Sequence, residues 1–177
     1  MRLVGSQVVL REFDLADVDD VLAVIGDDRV TEWLSFDSRN RGEAVAMVEG
    51  AADRAQEEPR TEYYLAVTPH DDEGHVVGFA RIALAGVQAG KLGYAIGADC
   101  WGRGYATDAA RTLVSYAFTE LGLHRVSAAI GPTNTASISV VKNLGFVEEG
   151  RLRDHVFTGG AWRNSVLYSV LADEWPP

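Results

Sequence analysis

The chain has 177 residues, of which 47% are apolar, so it can bury one complete hydrophobic core and we expect a single domain over residues 1–177. A formal net charge of −10 argues against nucleic-acid binding, and no segment approaches the roughly 18 to 20 apolar residues of a membrane span. Cys100 is the only cysteine and the N-terminus lacks a signal-peptide pattern, which excludes an intrachain disulfide and predicts a cytoplasmic protein.

Short strand and helix patterns alternate through the first half of the chain. A β-branched run predicts a strand over residues 8–13, and Asp14 is placed to cap a helix whose apolar residues recur at helical spacing from Leu15 to Ile25. A second helix is predicted over residues 41–58. Three strands are predicted beyond it, over residues 63–67, 76–84 and 91–96.

The second half contains the clearest helix pattern. Apolar residues recur at i, i+3, i+4 and i+7 from Ala106 to Leu121, which predicts an amphipathic helix. Strands that first follow one another and then alternate with helices indicate an α/β (α+β) architecture with a mixed sheet. The remaining predicted elements are a strand over residues 125–130, a helix over 136–144, and a hairpin over 149–158 and 161–171 that turns at Gly159-Gly160.

The sequence WGRGYATDA, residues 101–109, places small residues directly before that amphipathic helix. The first amides of a helix have no acceptor within the helix and lie at the positive end of its dipole. Glycines let such amides approach a ligand, so the loop suits a phosphate group, to which Arg103 can add a charged fork. The alternative is a turn whose glycines serve only packing. The loop is not a Walker A motif, because no Gly-Lys-Ser/Thr follows, and it fits the dinucleotide fingerprint poorly.

A second motif, PTNTASISVVKNLGFVEEG, occupies residues 132–150. Asn134 lies between a predicted strand and a predicted helix, Ser137 follows three residues later, and Leu-Gly-Phe closes the unit. WGRGYATDA, then N-T-A-S and K-N-L-G-F in this order, resemble the GNAT superfamily of acyl-CoA-dependent N-acyltransferases, in particular the Rim-type subgroup that acetylates ribosomal-protein N-termini. VVLREF and VTEWL near the start, and GAWRNSVLYSVLADEW near the end, extend the resemblance over nearly the whole chain.

This resemblance implies a fold and a co-substrate. The fold is a GNAT-like mixed, mostly antiparallel twisted sheet of about seven strands, splayed where the cofactor enters, with helices on both faces. The co-substrate is acetyl-CoA, whose pyrophosphate the loop amides hold and whose pantetheine arm pairs with the preceding strand. An amide near Ala95 or Ile96 polarises the thioester carbonyl, and Asn134 bonds the arm from the other side. The implied cofactor-binding residues are Ala95, Ile96, Trp101, Gly102, Arg103, Gly104, Tyr105, Ala106, Thr107, Asn134 and Ser137.

The predicted catalytic residues are Ser137 and Asn134. Many family members carry a tyrosine acid on the second helix, where this chain has Val141. Ser137 lies one turn earlier on the same helix face, and a serine there resembles the Rim type, so we expect it to hydrogen-bond the CoA sulfur. A helix-start serine that bonds only the backbone is the alternative, and Tyr116 is the less favoured hydroxyl.

The general base stays open at this stage. A chain of water molecules could serve instead, because a thioester is already activated. The candidates by location are Glu32, Asp37, Glu148, Glu149, Asp154 and His155.

The acceptor is expected to be a primary amine. Trp33, with Leu34 and Phe36, lies in the segment that lines the acceptor cleft in this family, although core packing is the alternative; Tyr94 is a second predicted substrate-binding residue. Three functions stay open: acetylation of a protein N-terminal α-amine, acetylation of a small cationic amine, and non-catalytic acyl-CoA binding. No metal is expected, and Cys100 is interpreted as a small buried apolar residue rather than a nucleophile. Family members are often homodimers, while the sequence leaves the oligomeric state open.

Overall fold

The predicted strands pair into one eight-stranded sheet in the computed structural model, which describes residues 1–176. The strands are β1 (Arg2–Val4), β2 (Val8–Arg11), β3 (Glu62–Pro69), β4 (Gly78–Leu84), β5 (Ala89–Ile96), β6 (Arg125–Ile130), β7 (Val147–Thr158) and β8 (Ala161–Leu171). The helices are α1 (Val18–Ile25), α2 (Asp28–Thr31), α3 (Arg41–Ala55), α4 (Tyr105–Thr119) and α5 (Thr135–Asn143). The predicted α/β fold is confirmed.

The sheet is mixed and mostly antiparallel. Its strands lie in the order β1-β2-β3-β4-β5-β6-β8-β7, and only β5 and β6 run parallel to each other. The sequence predicted seven of these strands and missed β1, which has three residues and lies at the edge of the sheet. Such a strand is too short to produce a recognisable alternation of apolar and polar residues.

Helices cover both faces of the sheet, as predicted, and this explains the continuous apolar run in β3. Leu65 and Val67 are buried in a cluster that contains the apolar stripe of α4 and Val141 of α5. Ala66, between them, is buried in a second cluster with residues of α1 and α3. Because strand side chains alternate between faces, the molecule has two hydrophobic cores. We call the two sides of the sheet the α4 face and the α3 face.

Two helix boundaries, the start of α1 and the end of α3, differ from the predicted ones by three residues. Asp14 does act as a cap, since its carboxylate accepts the N–H of Ala16. The residues that follow form a 3-10 turn, however, so α1 begins only at Val18 and Leu15 is exposed rather than part of the apolar stripe. The helix predicted over residues 41–58 ends at Ala55, because the polar residues beyond it offer nothing to bury. The four-residue α2 is too short for its periodicity to be read from sequence.

The closing hairpin turns at Gly159-Gly160, as predicted. These glycines have φ values of +59° and +73°, the pair of left-handed conformations that a two-residue hairpin turn requires. The β7–β8 pairing contains two register shifts. At the second, three β7 residues, 153–155, face the single β8 residue Asn164. Separately, none of the helices formed by residues 1–176 is long and apolar enough to cross a bilayer.

Candidate active site

The glycine loop leaves main-chain amides uncovered at the start of α4. Gly102 and Gly104 have φ values of +75° and +83°, which L-residues with a side chain rarely adopt. Gly104 is the N-cap of α4 and offers no side chain to its first-turn amides. A Cβ placed on Gly102 would meet no heavy atom within 4 Å, so the loop faces open space. The amides of residues 105–107 therefore remain available to an anionic ligand.

A buried carboxylate holds this loop against the N-terminal turn. Asp108 is only 5% exposed, and its two oxygens accept four hydrogen bonds of 2.7–3.0 Å. The donors are the N–H and Oγ of Ser6, the N–H of Gln7 and the N–H of Val8. Burial alone would raise the pKa of Asp108, but these hydrogen bonds outweigh it and lower the pKa. Asp108 thus fixes the first turn of α4 in place while charged.

β5 loses its neighbour on one side as it approaches the loop. It pairs with β6 at only three positions, from Ala89 to Lys91. On its other side, β5 stays paired with β4 as far as Ile96. Residues 92–96 of β5 therefore form a strand edge without a partner on the β6 side, which we call the free edge. The predicted splay of the sheet lies here.

Alternation decides which main-chain groups point into the splay. The N–H of Gly97 donates to the carbonyl oxygen of Val77, which sets the phase of the β4–β5 ladder. In that phase Ala95 bonds to β4, whereas Tyr94 and Ile96 direct their N–H groups away from β4. Of the two amides predicted to face a thioester carbonyl, Ala95 is thus committed to the sheet and Ile96 is free. The predicted donor to the thioester carbonyl is thus reduced from two amides to one, that of Ile96.

Trp101 closes one end of the free edge. Its indole Nε1 donates to the carbonyl oxygen of Ile96 at 2.7 Å, while the residue stays 49% exposed. The carbonyl of Ile96 is therefore occupied by the protein itself, and the amide of Ile96 is left for a ligand. This bond places Trp101 between the free edge and Gly102.

The start of α5 lies across the splay from this edge. The Asn134 side chain caps the helix, its Oδ1 accepting the N–H of Ser137 at 3.1 Å. The cap uses the amide oxygen of Asn134, so its NH2 group is the part left to donate to a ligand. Ser137 is half-buried, and Val141, one turn further on, is fully buried in the core. Ser137 is therefore the more accessible of the two on that helix face.

Tyr94 links the free edge to α5. Its hydroxyl donates to the carbonyl oxygen of Ser137 at 3.2 Å. Burial raises the pKa of Tyr94 to about 12, although the bond to Ser137 acts in the opposite direction, so the phenol stays protonated at neutral pH. Tyr94 packs with the core on the α4 face, whereas Leu34 and Phe36 pack with the core on the α3 face. The two parts of the predicted acceptor site thus approach from opposite faces, and the substrate-binding role of Tyr94 stays a prediction.

On the α3 face, the tip of the hairpin is tied to the segment between α2 and α3. The guanidinium of Arg163 donates to the carbonyl oxygens of Glu32 and Leu34 at 2.5 Å and 2.8 Å. In return, Asp37 accepts the hydroxyl of Thr158 and a hairpin-turn amide. We call this set of contacts the clasp. Trp33, which is 41% exposed, lies within the clasped segment, so core packing does not account for its side chain.

The structure separates the six candidate bases. The Thr158 hydroxyl, with a second bond from Gly159, lowers the pKa of Asp37. Arg125, with Ser169, lowers the pKa of Glu149 to about 2. Both carboxylates are committed to structural contacts and are weak bases. Four candidates remain. Glu148 accepts a hydrogen bond from the hydroxyl of Tyr168. The other three are Glu32, Asp154 and His155.

Two further sequence interpretations change in detail. Cys100 is half-buried against the core on the α4 face, not fully buried as expected, because it lies in a short 3-10 turn before the loop. Tyr116 packs against Tyr63, with ring centroids 5.6 Å apart, on the β3 side of α4. Within residues 1–176 no three His, Cys, Asp or Glu side chains are grouped as metal ligands would be.

Sequence reasoning missed three contacts of the candidate site, made by Asp108, Arg163 and Ser165. Asp108 does carry a signal, an acidic residue in the first turn of a helix. Arg163 and Ser165 carry none, since their partners lie in other segments of the chain and only the folded sheet brings them together.

Comparison with known proteins agrees with the observed fold. A family model described as an acetyltransferase (GNAT) domain matches residues 7–147. The uncharacterised N-acetyltransferase p20 of Bacillus licheniformis is 29% identical over 174 residues, covering 98% of this chain and 97% of that protein. The ribosomal protein uS5-alanine N-acetyltransferase of Escherichia coli is 30% identical over 109 residues, 60% of this chain and 56% of that protein.

A solved structure has the same fold. Mycobacterium smegmatis RimJ, in complex with CoA-disulfide, superimposes with a TM-score of 0.83 and covers 96% of this chain and 84% of its own. Its sequence is 24% identical, so the likeness establishes the fold alone.

Proposed function

This chain belongs to the GNAT family of N-acetyltransferases, and from that premise we propose that it transfers the acetyl group of acetyl-CoA to the N-terminal α-amine of a protein. The observation that carries the proposal is the free edge of β5 ending at uncapped α4 amides. We propose that residues 1–177 act as one catalytic domain, since the eight strands form one sheet. A ribosomal-protein acceptor would place the enzyme in the cytoplasm.

The groups present fit two parts of acetyl-CoA, its diphosphate and its pantetheine arm. A diphosphate needs clustered N–H donors and space for close approach, which residues 102–107 offer, with the exposed Arg103 beside them. An extended arm with amide groups needs an unpaired strand edge, which residues 92–96 offer. Across the splay, the free NH2 of Asn134 would donate to a carbonyl of that arm.

Each residue would then have a defined task in the transfer. The amide of Ile96 would donate to the carbonyl oxygen of the thioester, where negative charge develops as the amine attacks. The hydroxyl of Ser137 would donate to the sulfur as it leaves. When bound, acetyl-CoA supplies an activated acyl group with a good leaving group. Neither Ile96 nor Ser137 changes its own covalent bonding during this reaction.

The acceptor assignment rests on two supports. A relative named for acetylating a ribosomal-protein alanine shares 30% identity over 109 residues with this chain. The clasp also leaves the aromatic side chains around it exposed, with Trp33, Phe157 and Trp162 between 41% and 61% accessible. An open rim lined by aromatic side chains suits a flexible polypeptide acceptor, whereas a closed pocket would suit a small amine.

The test is a turnover screen that measures release of free CoA. Peptides with the N-terminal sequences of ribosomal proteins are compared with polyamines, aminoglycosides and amino-acid derivatives at equal concentration. We expect peptides with a free α-amine to be acetylated and the same peptides with a blocked N-terminus to be inert. If only the small amines are acetylated, the acceptor is a small amine and not a protein N-terminus. Tight CoA binding without any turnover would show a binding module.

A further inference from the structure

The irregular part of the hairpin holds a histidine in a defined position. At the second register shift, the N–H of Asp154 donates to Oδ1 of Asn164 at 2.9 Å, and Asp154 has a φ of +46°. This bulge brings Nδ1 of His155 within 3.0 Å of the hydroxyl of Ser165. Ser165 is 4% exposed, whereas His155 is exposed. One ring nitrogen is therefore held by a buried partner, and Nε2 is the nitrogen left for a ligand.

The sheet register places this pair level with the free edge. Continuing the β6–β8 register by one residue sets Ser165 opposite Gly131. Continuing the β5–β6 register sets Ala95 at that same level on the other side of the splay. The next residue of β5 is Ile96, whose amide we assign to the thioester carbonyl.

The pair also lies on the face of the sheet that carries the clasp. Val166 and Tyr168 of β8 pack with the core on the α4 face. Strand alternation therefore directs Arg163 and Ser165 to the α3 face, in agreement with the contacts of Arg163 to the clasped segment. The bond between His155 and Ser165 therefore ties the histidine to a residue on the clasp side of the sheet.

We propose that His155 is the general base that accepts a proton from the acceptor amine, and that Ser165 positions its ring. This inference rests on the proposed acetyl transfer. When Nδ1–H donates to Ser165, Nε2 keeps the lone pair that a base needs. An imidazole matches the task because a side chain that exchanges protons near neutral pH is a more effective base there than a free carboxylate.

The proton balance of the step is complete. The ammonium form of the acceptor gives one proton to Nε2 of His155, and the freed nitrogen lone pair forms a bond to the acyl carbon. The C–S bond breaks, its electron pair goes to sulfur, and the second amine proton passes to the thiolate. The products are the N-acetylated acceptor and the free thiol of CoA. His155 then releases its proton to water.

Charged groups surround the bulge on each element that packs there. Arg151, Arg153 and Asp154 flank His155 on β7, and Arg163 lies on β8. The clasped segment contributes Glu32 and Asp37. Asp37 is already bonded to Thr158, and Arg163 is already bonded to the carbonyl oxygens of Glu32 and Leu34.

His155→Ala provides the direct test, in the full-length protein. We expect kcat/KM for the best peptide acceptor to fall about 100-fold at pH 7, and the loss of activity on the acid side of the pH profile to disappear. Added imidazole should restore part of the rate, since the exposed position admits a free base. The dissociation constant of acetyl-CoA, measured by calorimetry, should not change. Ser165→Ala keeps the imidazole of His155 but removes the hydroxyl that holds it. This variant should lower kcat about fivefold and keep the loss of activity on the acid side of the pH profile.

The matched control is His124→Ala, at an exposed histidine directly before β6. It should keep the wild-type rate and show no response to imidazole. If wild-type protein turns over and His155→Ala behaves like the control, His155 is not the base, while acetyl transfer stands. If wild-type protein releases no CoA with any amine, the proposed function fails first. Should His155→Ala not fold, an unchanged rate in Ser165→Ala would overturn the positioning of the base.

Discussion

The cofactor side and the acceptor side of this site are built from different materials. On the cofactor side, the groups that face a ligand are mainly main-chain amides, at the glycine loop and along the free edge of β5. On the acceptor side they are side chains such as Asp37 and Arg163, whose partners lie 121 and 131 residues away. A main-chain site is specified by local sequence, whereas a side-chain site depends on distant segments meeting correctly.

This difference separates the ways in which the two sides can fail. Among single substitutions only proline removes a main-chain N–H, so the cofactor side is damaged mainly through backbone geometry or through the residues that hold the backbone. The acceptor side is damaged by single side-chain changes that leave the backbone intact. The same contrast predicts that cofactor affinity and acceptor affinity respond to different substitutions.

The largest expected effect is at Asp108, which holds the backbone of the cofactor side. Asp108→Ala leaves three N–H groups, those of Ser6, Gln7 and the fully buried Val8, without their acceptor. We expect a loss of about 3 kcal/mol in the free energy of unfolding, measured by urea denaturation, together with weaker binding of acetyl-CoA. Asp71→Ala, in the exposed loop after β3, is the control and should change stability by less than about 0.5 kcal/mol.

The same carboxylate predicts a pH dependence. Because folding lowers the pKa of Asp108, its stabilising contribution is complete above the unfolded pKa of about 3.9 and is lost as the pH falls through the lower, folded value. Wild-type protein should therefore lose stability below about pH 4 more steeply than Asp108→Ala does. Parallel slopes for the two proteins would show that folding does not lower the pKa of Asp108.

Much of the cofactor side could be predicted from sequence because its signals are local. The spacing of Gly102 and Gly104 before an amphipathic pattern predicted the start of α4, while the phosphate ligand of the loop stays a prediction. Which amide faces the splay could not be predicted, since the phase of the β4–β5 ladder depends on a bond between Gly97 and Val77. A register shifted by one residue would have left the amide of Ala95, and not that of Ile96, facing the splay.

A pair of glycines tests the backbone claim with a smaller effect. Gly102 and Gly86 have φ values of +75° and +83°, and a Cβ on either would meet no atom within 4 Å. Alanine at each position should therefore cost the same stability, about 1 kcal/mol. Only Gly102→Ala should weaken acetyl-CoA binding, by about tenfold in calorimetry, because its Cβ would enter the space for the diphosphate. If the two variants bind acetyl-CoA with equal affinity, the loop is not part of the binding site.

Ser137 is the one side chain on the cofactor side that we expect to act in the chemical step. Ser137→Ala should lower kcat about fivefold while changing the acetyl-CoA dissociation constant less, since the bond to sulfur strengthens only as the thiolate forms. Ser139→Ala is the control, because its hydroxyl bonds the carbonyl oxygen of Thr135 within the same helix. A kcat for Ser137→Ala equal to that of the control would exclude the serine from the mechanism.

The acceptor side could be predicted from sequence only as a region. The resemblance of residues 30–34 to the family indicated a segment that the structure ties to the hairpin, and six candidate bases were named from location alone. The contacts that sort them could not be predicted, because the bulge at Asp154 and the burial of Ser165 arise from pairing between β7 and β8. Alternating patterns predict strands well, but they do not reveal where a register shifts.

The smallest expected effect is at the clasp, and it is the sharpest test of the contrast. Arg163→Met keeps the length and apolar part of the side chain while removing both bonds to the carbonyl oxygens of Glu32 and Leu34. The clasped segment should then move more freely, so the KM for the peptide acceptor should rise about threefold, with the dissociation constant of acetyl-CoA unchanged. Arg111→Met, at an exposed position on α4, is the matched control and should alter neither constant. If Arg163→Met weakens acetyl-CoA binding as much as acceptor binding, the two sides are mechanically coupled through the sheet, and the division between a main-chain site and a side-chain site no longer holds.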